Sequence, residues 1–387
     1  MNFYAKATLY WLFFSLFRGD YLISVFRLRA EMDTIFSSAP NDSNDINFTT
    51  SYLFTTDTNN KDIKRTSELL WQIFGIALLI IGTVGHSLSI LTTSASSTLR
   101  SHSSGVFIIS LSVVGLLTLY SGLLRQVILY SASDYDIRLL STASCKIHVF
   151  VTYLSLQLFA WLQATIALDR YIAVCFPVHY NKFSKWIYGL GLVGLEVLVV
   201  MLLNSGLLVT YGLSNPPFVF CFTSSKEFIK AWPYMDLLNF SIVPAALIIV
   251  FNALILINLK KRQSSKLKRH VKSLTIMLMT VNLVFLVSTV PVSVLHIIDM
   301  RRSIYSNVRL QLAATCTSIL QYTGTASTFF IYCLTGTRFR HEIKRIFCRS
   351  SLRADWTSGG EAKQRSIQDS GIECSSHGVE LNDHSPQ

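Results

Sequence analysis

The sequence predicts an all-α membrane protein: a seven-transmembrane helix bundle followed by a short amphipathic eighth helix. Three observations carry that prediction. Of 387 residues, 51% are hydrophobic and only 14% are charged, whereas soluble domains carry about 25% charge. Seven apolar stretches, near 68–93, 104–131, 145–171, 185–211, 232–259, 271–298 and 308–334, are each long enough to cross about 30 Å of hydrocarbon with some tilt. Where no water can satisfy the backbone, such stretches must be helical. The net charge is +12, and its basic residues lie in short connections between the apolar stretches. That pattern orients a chain in a membrane; it is not the continuous basic patch of a nucleic-acid binder.

In chain order, residues 1–66 read as an extracellular, largely disordered amino-terminal segment. Within it Ala7 to Phe17 is apolar but too short to span a bilayer. It reads as a signal-peptide core, an interfacial segment or a mispredicted first exon. Residues 33–66 are rich in Ser, Thr, Asn and Asp, and they hold two glycosylation sequons, at Asn41 and Asn47. The bundle occupies 67–336. Seven crossings put the two termini on opposite sides. The fifth connection carries Lys260, Lys261, Arg262, Lys266, Lys268, Arg269 and Lys272 with no acid, and Arg338, Arg340, Lys344, Arg345 and Arg349 follow the seventh span. Both segments are therefore expected in the cytoplasm, which leaves the amino terminus outside, as the sequons require. In 337–348, Phe339, Ile343, Ile346 and Phe347 share one helical face with basic residues opposite, the pattern of an interfacial helix. Residues 349–387 are polar and serine-rich and read as a disordered cytoplasmic tail.

The most specific stretch runs from Cys145 to Tyr180. A cysteine opens it, an apolar span follows, and Asp169-Arg170-Tyr171 then leads into Ile-Ala-Val-Cys-Phe-Pro-Val-His-Tyr. From Cys145 to Arg170 a helix rises roughly 37 Å, about one membrane thickness. This resembles the third helix of rhodopsin-like (class A) G-protein-coupled receptors. The run through Cys175-Phe176-Pro177 to His179-Tyr180 is most similar to odorant-type members.

The resemblance implies roles for residues at matching positions. Cys145 and Cys221 would form the disulfide tying the third helix to the second extracellular loop, and closing that loop would contribute roughly 4 kcal/mol. Asp169, Arg170, Tyr171 and Tyr332 would serve G-protein coupling. Pro244, Phe285 and Pro291 would be helix-switch positions in spans five and six. Cys348 falls where these receptors are often lipidated, and Ser366, Ser370, Ser375 and Ser376 are candidate phosphorylation sites through which arrestin would bind. Ionisable groups in the outer half of the bundle are pocket candidates, because an intramembrane charge is costly and marks a functional site by default: Arg125, Glu196, Asp236, His296 and Asp299. Thr152, Tyr153 and Leu156 on the third span and Ser318 and Tyr322 on the seventh would line the same ligand pocket. Arg125 and Asp236 could instead reach the headgroups or pair with each other.

Several family positions are altered. The first-span asparagine is His86 and the second-span aspartate is Gly115. The sixth-span motif reads Ser288-Thr289-Val290-Pro291, the seventh Thr328-Phe329-Phe330-Ile331-Tyr332, and the fifth-span tyrosine is Asn252. Thr152 and Tyr322 stand where amine receptors and opsins carry an aspartate and a lysine, which disfavours both classes. Between Leu237 and Ile298 there is no Asp or Glu, so Asp169 alone is expected to restrain Arg170, as a pair partly exposed at the interface.

The function expected is conversion of extracellular ligand binding into activation of a heterotrimeric G protein at the plasma membrane, in a chemosensory or orphan receptor. The ligand is an unidentified small molecule; membrane lipid is a further partner, nucleic acid is not, and no cofactor or metal is implied. The alternatives are a non-signalling seven-helix decoy or partner subunit, and a transporter. No nucleophile or metal-ligand constellation suggests an enzyme.

Overall fold

The computed structural model describes residues 60–131, 135–215, 219–261, 269–301, 307–336 and 339–345. Asn41, Asn47, Cys348 and the serine-rich tail lie outside them. The chain divides into two compact units, Met1–Ile63 and Lys64–Gln387; the bundle belongs to the second.

Among the described residues, six helices are long and apolar enough to cross a membrane. Helix 1 is Asn60–Ala95, helix 2 Ser103–Ser131, helix 3 Thr142–Cys175, helix 4 Trp186–Thr210 and helix 5 Lys226–Leu259; helix 6 has its apolar stretch at Ser273–Ile298, within a helix running Arg269–Arg301. Helix 7 is more polar. It runs Val308–Ala326, breaks at Ser327 and resumes as Thr328–Thr335. Residues 339–345 form the helix beyond it. Its Phe339 is buried, with ring centroids 5.4 Å from Tyr332 and 6.0 Å from Phe329. Arg340 Nη1 donates to the carbonyls of Leu334 (2.6 Å) and Cys333 (3.2 Å), which satisfies orphan acceptors at the end of helix 7.

Helices 1, 3 and 5 start several residues earlier than their apolar stretches do. Helix 3 opens at Ser141, whose hydroxyl accepts from the Ser144 N–H at 3.0 Å. Helix 5 opens at Ser225, which accepts from the Phe228 N–H at 3.3 Å, well before 232. A side-chain cap sets a helix end whether or not the first turn is apolar. Helix 1 likewise begins at Asn60, so the end of the segment read as disordered, 60–66, is helical.

Helix 3 is the axis of the bundle. It packs against helices 2, 4, 5 and 6, whereas helix 4 is a flank whose Leu195, Leu198, Leu202 and other apolar side chains face outward, as lipid-facing side chains must. After helix 4 an antiparallel hairpin pairs β1 (Tyr211–Leu213) with β2 (Cys221–Thr223), Leu213 opposite Cys221. Cys221 is bonded to Cys145 at the start of helix 3, with Cα atoms 5.6 Å apart. The hairpin is therefore fixed over the disulfide end of the bundle.

Among the described residues, three helices contain a π-helical turn: Trp71–Gly75 in helix 1, Leu119–Leu123 in helix 2 and Leu238–Ile242 in helix 5. Such turns widen a helix locally and concentrate at functional sites. The turn in helix 5 ends two residues before Pro244, whose missing N–H cannot continue the regular ladder. Pro291 lies within helix 6. Phe285, one and a half turns before it, is buried against Phe159 of helix 3, with centroids 6.0 Å apart.

Candidate functional site

At the end of helix 3 away from the disulfide, Arg170 is almost wholly buried. Its side chain is 2% exposed and that of its partner Asp169 is 10% exposed. Arg170 donates through Nε and Nη2 to Asp169 Oδ2, through Nη2 to the Ser104 hydroxyl of helix 2, and through Nη2 to the Tyr180 hydroxyl at 2.8 Å. The guanidinium also lies over the Tyr180 ring, 5.7 Å from its centroid. Tyr180 belongs to the short helix Pro177–Phe183 that follows helix 3. Ser103 donates to Asp169 Oδ1 at 3.0 Å. Arg170 is thus held by three elements, and Asp169 is not its sole restraint. The pair is also buried, which the sequence reading did not expect. A buried charge is stable only when its donors are filled, and here helix 2 and the helix after helix 3 fill them.

The other residues of this end take different places. Tyr171 packs sideways onto Phe176 and Phe251 of helix 5, with centroids 5.8 and 5.6 Å away. Tyr332 is fully buried against Phe339, and its hydroxyl has no protein partner among the described residues. Met277 of helix 6 sits beside Gly336 at the end of helix 7, where a Cβ on Gly336 would meet its Sδ at 2.5 Å. Helix 6 is therefore packed in against helix 7.

Towards the disulfide end lies a cavity of about 240 Å³ between helices 2, 3, 5, 6 and 7. Arg125, Thr152, Tyr153, Leu156, Asp236, His296, Ser318 and Tyr322 all line it. The π-helical turns of helices 2 and 5 supply Ser121, Gly122 and Phe240 to its wall.

Arg125 and Asp236 share this cavity without pairing to each other. Arg125 donates to both oxygens of Asp136, at 3.1 and 2.9 Å, in the 3-10 turn region before helix 3. Arg138 grips the same carboxylate through its backbone N–H (3.0 Å) and its guanidinium, the shortest bond being 2.7 Å. Burial works against ionisation of Asp136, yet the bonds from Arg125 and Arg138 and the charge of Arg125 outweigh it and hold its carboxyl well below the usual carboxylate range. Asp236 Oδ1 accepts from Gln157 Nε2 of helix 3 at 2.9 Å, and Gln157 Oε1 accepts from Asn204 Nδ2 of helix 4 at 2.7 Å. Asp236 Oδ2 faces His296 Nδ1 at 3.9 Å.

Between the two ends, two of the altered positions of the sequence, His86 and Gly115, meet. The imidazole of His86 is buried and occupies the space beside Gly115: a Cβ there would lie 2.5 Å from its Cε1 and Nε2. Gly115→Ala should therefore destabilise the bundle by about 1–3 kcal/mol through overpacking. His86→Ala in the same chain should restore most of the loss, so that the two changes are strongly non-additive. Thermal unfolding of the detergent-solubilised single and double variants measures this, and additive losses would separate the two residues.

The sequence matches the family model of the seven-transmembrane receptors of the rhodopsin family over residues 85–335. The chain belongs to the rhodopsin family of seven-transmembrane receptors. It is similar to the C-C chemokine receptor type 8 of Macaca mulatta, 23% identical over 298 residues that cover 74% of this chain and 82% of that relative. It is also similar to the Probable G-protein coupled receptor 142 of Mus musculus, 22% identical over 194 residues covering 49% of this chain and 50% of that relative.

Sequence reasoning about this receptor missed Ser103, Ser104 and Tyr180 around Arg170, and Asp136, Arg138, Gln157 and Asn204 around the cavity. For Asp136 and Arg138 a signal existed, since a charged pair two residues apart sits just before the apolar part of helix 3. For the others no local signal exists, because each acts through a partner on another helix.

Proposed function

We propose that the receptor binds a small extracellular ligand in the cavity at the disulfide end and activates a heterotrimeric G protein at the Arg170 end. One observation carries this: a single central helix bears both the cavity wall, at Thr152, Tyr153 and Leu156, and the buried Arg170 cluster. Ligand binding would bias the equilibrium between this closed arrangement and one in which Arg170 is released. The disulfide supports placing its end outside, since such bonds persist in oxidising compartments. That agrees with the basic connections on the other side and with a plasma-membrane location. Arrestin recruitment and lipidation at Cys348 belong to the same reading. The odorant-like alternative rests on the Cys175 to Tyr180 run alone.

A second reading, a seven-helix protein that does not signal, draws on the seating of His86 over Gly115 and on the other altered motifs. Expression in cells with a G-protein activation readout against a metabolite and odorant panel separates the two. An active ligand should be found, and Arg170→Ala should remove at least about 90% of its response, more than a tenfold loss, at unchanged surface expression. A full response from Arg170→Ala would remove the coupling role.

A further inference from the structure

The cavity is electrically bipolar. On the side of helix 2 and the turn before helix 3, two guanidiniums, Arg125 and Arg138, share one carboxylate, Asp136, which leaves one positive charge in surplus. A guanidinium offers five N–H donors. Arg125 gives bonds from Nε and Nη2 alone, and so does the Arg138 side chain, so Nη1 of each has no acceptor among the described residues. On the side of helices 5 and 6, Asp236 is 6% exposed, and only its Oδ1 accepts a hydrogen bond among the described residues. Its Oδ2 faces His296 Nδ1 at 3.9 Å, and both residues line the cavity. A buried carboxylate with one open oxygen calls for a hydrogen-bonding or cationic partner.

These two ends stand on opposite sides of helix 3. Thr152 of that helix donates to the Ser121 carbonyl of helix 2 at 3.3 Å, while its Gln157 holds Asp236 of helix 5. Neighbouring helix axes lie about 8–10 Å apart, so the positive and negative ends are separated by several bond lengths. The rest of the lining mixes apolar Leu156, Val292 and Phe240 with polar Thr152, Ser318 and Gln321. The volume of about 240 Å³ corresponds to about eight waters at liquid density.

From this the geometry points to a small linear zwitterion as the ligand, with its carboxylate on Arg125 and Arg138 and its protonated amine on Asp236, as in a dipeptide or a short ω-amino acid. The two charged groups of an α-amino acid, attached to one carbon, are too close together to reach both ends at once. The inference rests on the cavity being the ligand site, and it is tested by binding, independently of signalling.

The probes are a panel of dipeptides and ω-amino acids, each with its carboxamide and its N-acetyl counterpart. Affinity is read from ligand-induced thermal shifts of the full chain solubilised in detergent. At least one zwitterion should bind, and its carboxamide and N-acetyl forms should each bind about 10- to 100-fold more weakly. Asp236→Asn should abolish the discrimination against the N-acetyl form while keeping that against the carboxamide, and Arg125→Gln should do the reverse. A merely structural role would weaken all three forms alike. If a variant does not fold, the three-form comparison on the unaltered chain decides alone. The proposal is overturned if no zwitterion of the panel binds, or if the blocked forms bind as well as the free one. Zwitterion binding without G-protein activation would uphold it and count against the signalling reading; activation by ligands of another class, with no zwitterion bound, would do the opposite.

Discussion

Asp169→Asn is expected to raise ligand-independent G-protein activation by about tenfold or more at equal surface expression. The substitution keeps the shape of the side chain and removes its charge. Arg170 then remains buried with neutral partners only, the hydroxyls of Ser104 and Tyr180. A hydrogen bond to a charged group contributes about 1.5–3 kcal/mol, and a loss of about 2 kcal/mol from the closed arrangement moves the closed-to-open ratio roughly thirtyfold. Tyr180→Phe should act in the same direction but more weakly, because it removes one neutral acceptor and leaves the ring over the guanidinium. With both neutral partners present, basal activity of the unaltered receptor should be lower than a lone Asp169 restraint would give. A cell assay of basal nucleotide exchange, normalised to surface epitope, checks the order. If Asp169→Asn leaves basal activity unchanged, the cluster does not restrain the receptor.

Loss of the disulfide should have the largest effect on stability. Cys145 and Cys221 are 76 residues apart, and closing a loop of that size restricts the unfolded chain by about 4 kcal/mol. Folded domains are stable by only about 5–15 kcal/mol. Cys145→Ser and Cys221→Ser should therefore each lower surface expression severely and drop the thermal midpoint of the solubilised receptor. The double variant should be no worse than either single one, because one bond is lost in all three. Additive losses would mean that the two thiols act separately. The same bond fixes the β1–β2 hairpin over the cavity end, so any surviving single variant should also bind ligand more weakly.

Much of the architecture was legible in the residues alone. The helices of the bundle follow from apolar length, since a bilayer admits helices of one length, and the placing of lysine and arginine is the ground on which their orientation is proposed. The cysteine and Asp169-Arg170-Tyr171 mark the two ends of helix 3, and eight of the residues picked as pocket candidates line one cavity, whereas Glu196 accepts a hydrogen bond from Thr165 of helix 3. Each of these is a property of one segment read against its solvent. What the tertiary structure decided is who meets whom. Arg125 turns to Asp136 and not to Asp236; Arg170 gains Ser104 and Tyr180; and His86 and Gly115, two separate oddities in the sequence, are one packed pair. The helix ends at Ser141 and Ser225 and the π-helical turns beside the cavity also came only with the fold. The physical reason is the same in every case. Hydrophobic length acts along a segment and leaves a pattern in it, whereas a hydrogen bond between helices depends on side chains far apart in sequence, and neither partner alone carries a mark of the other.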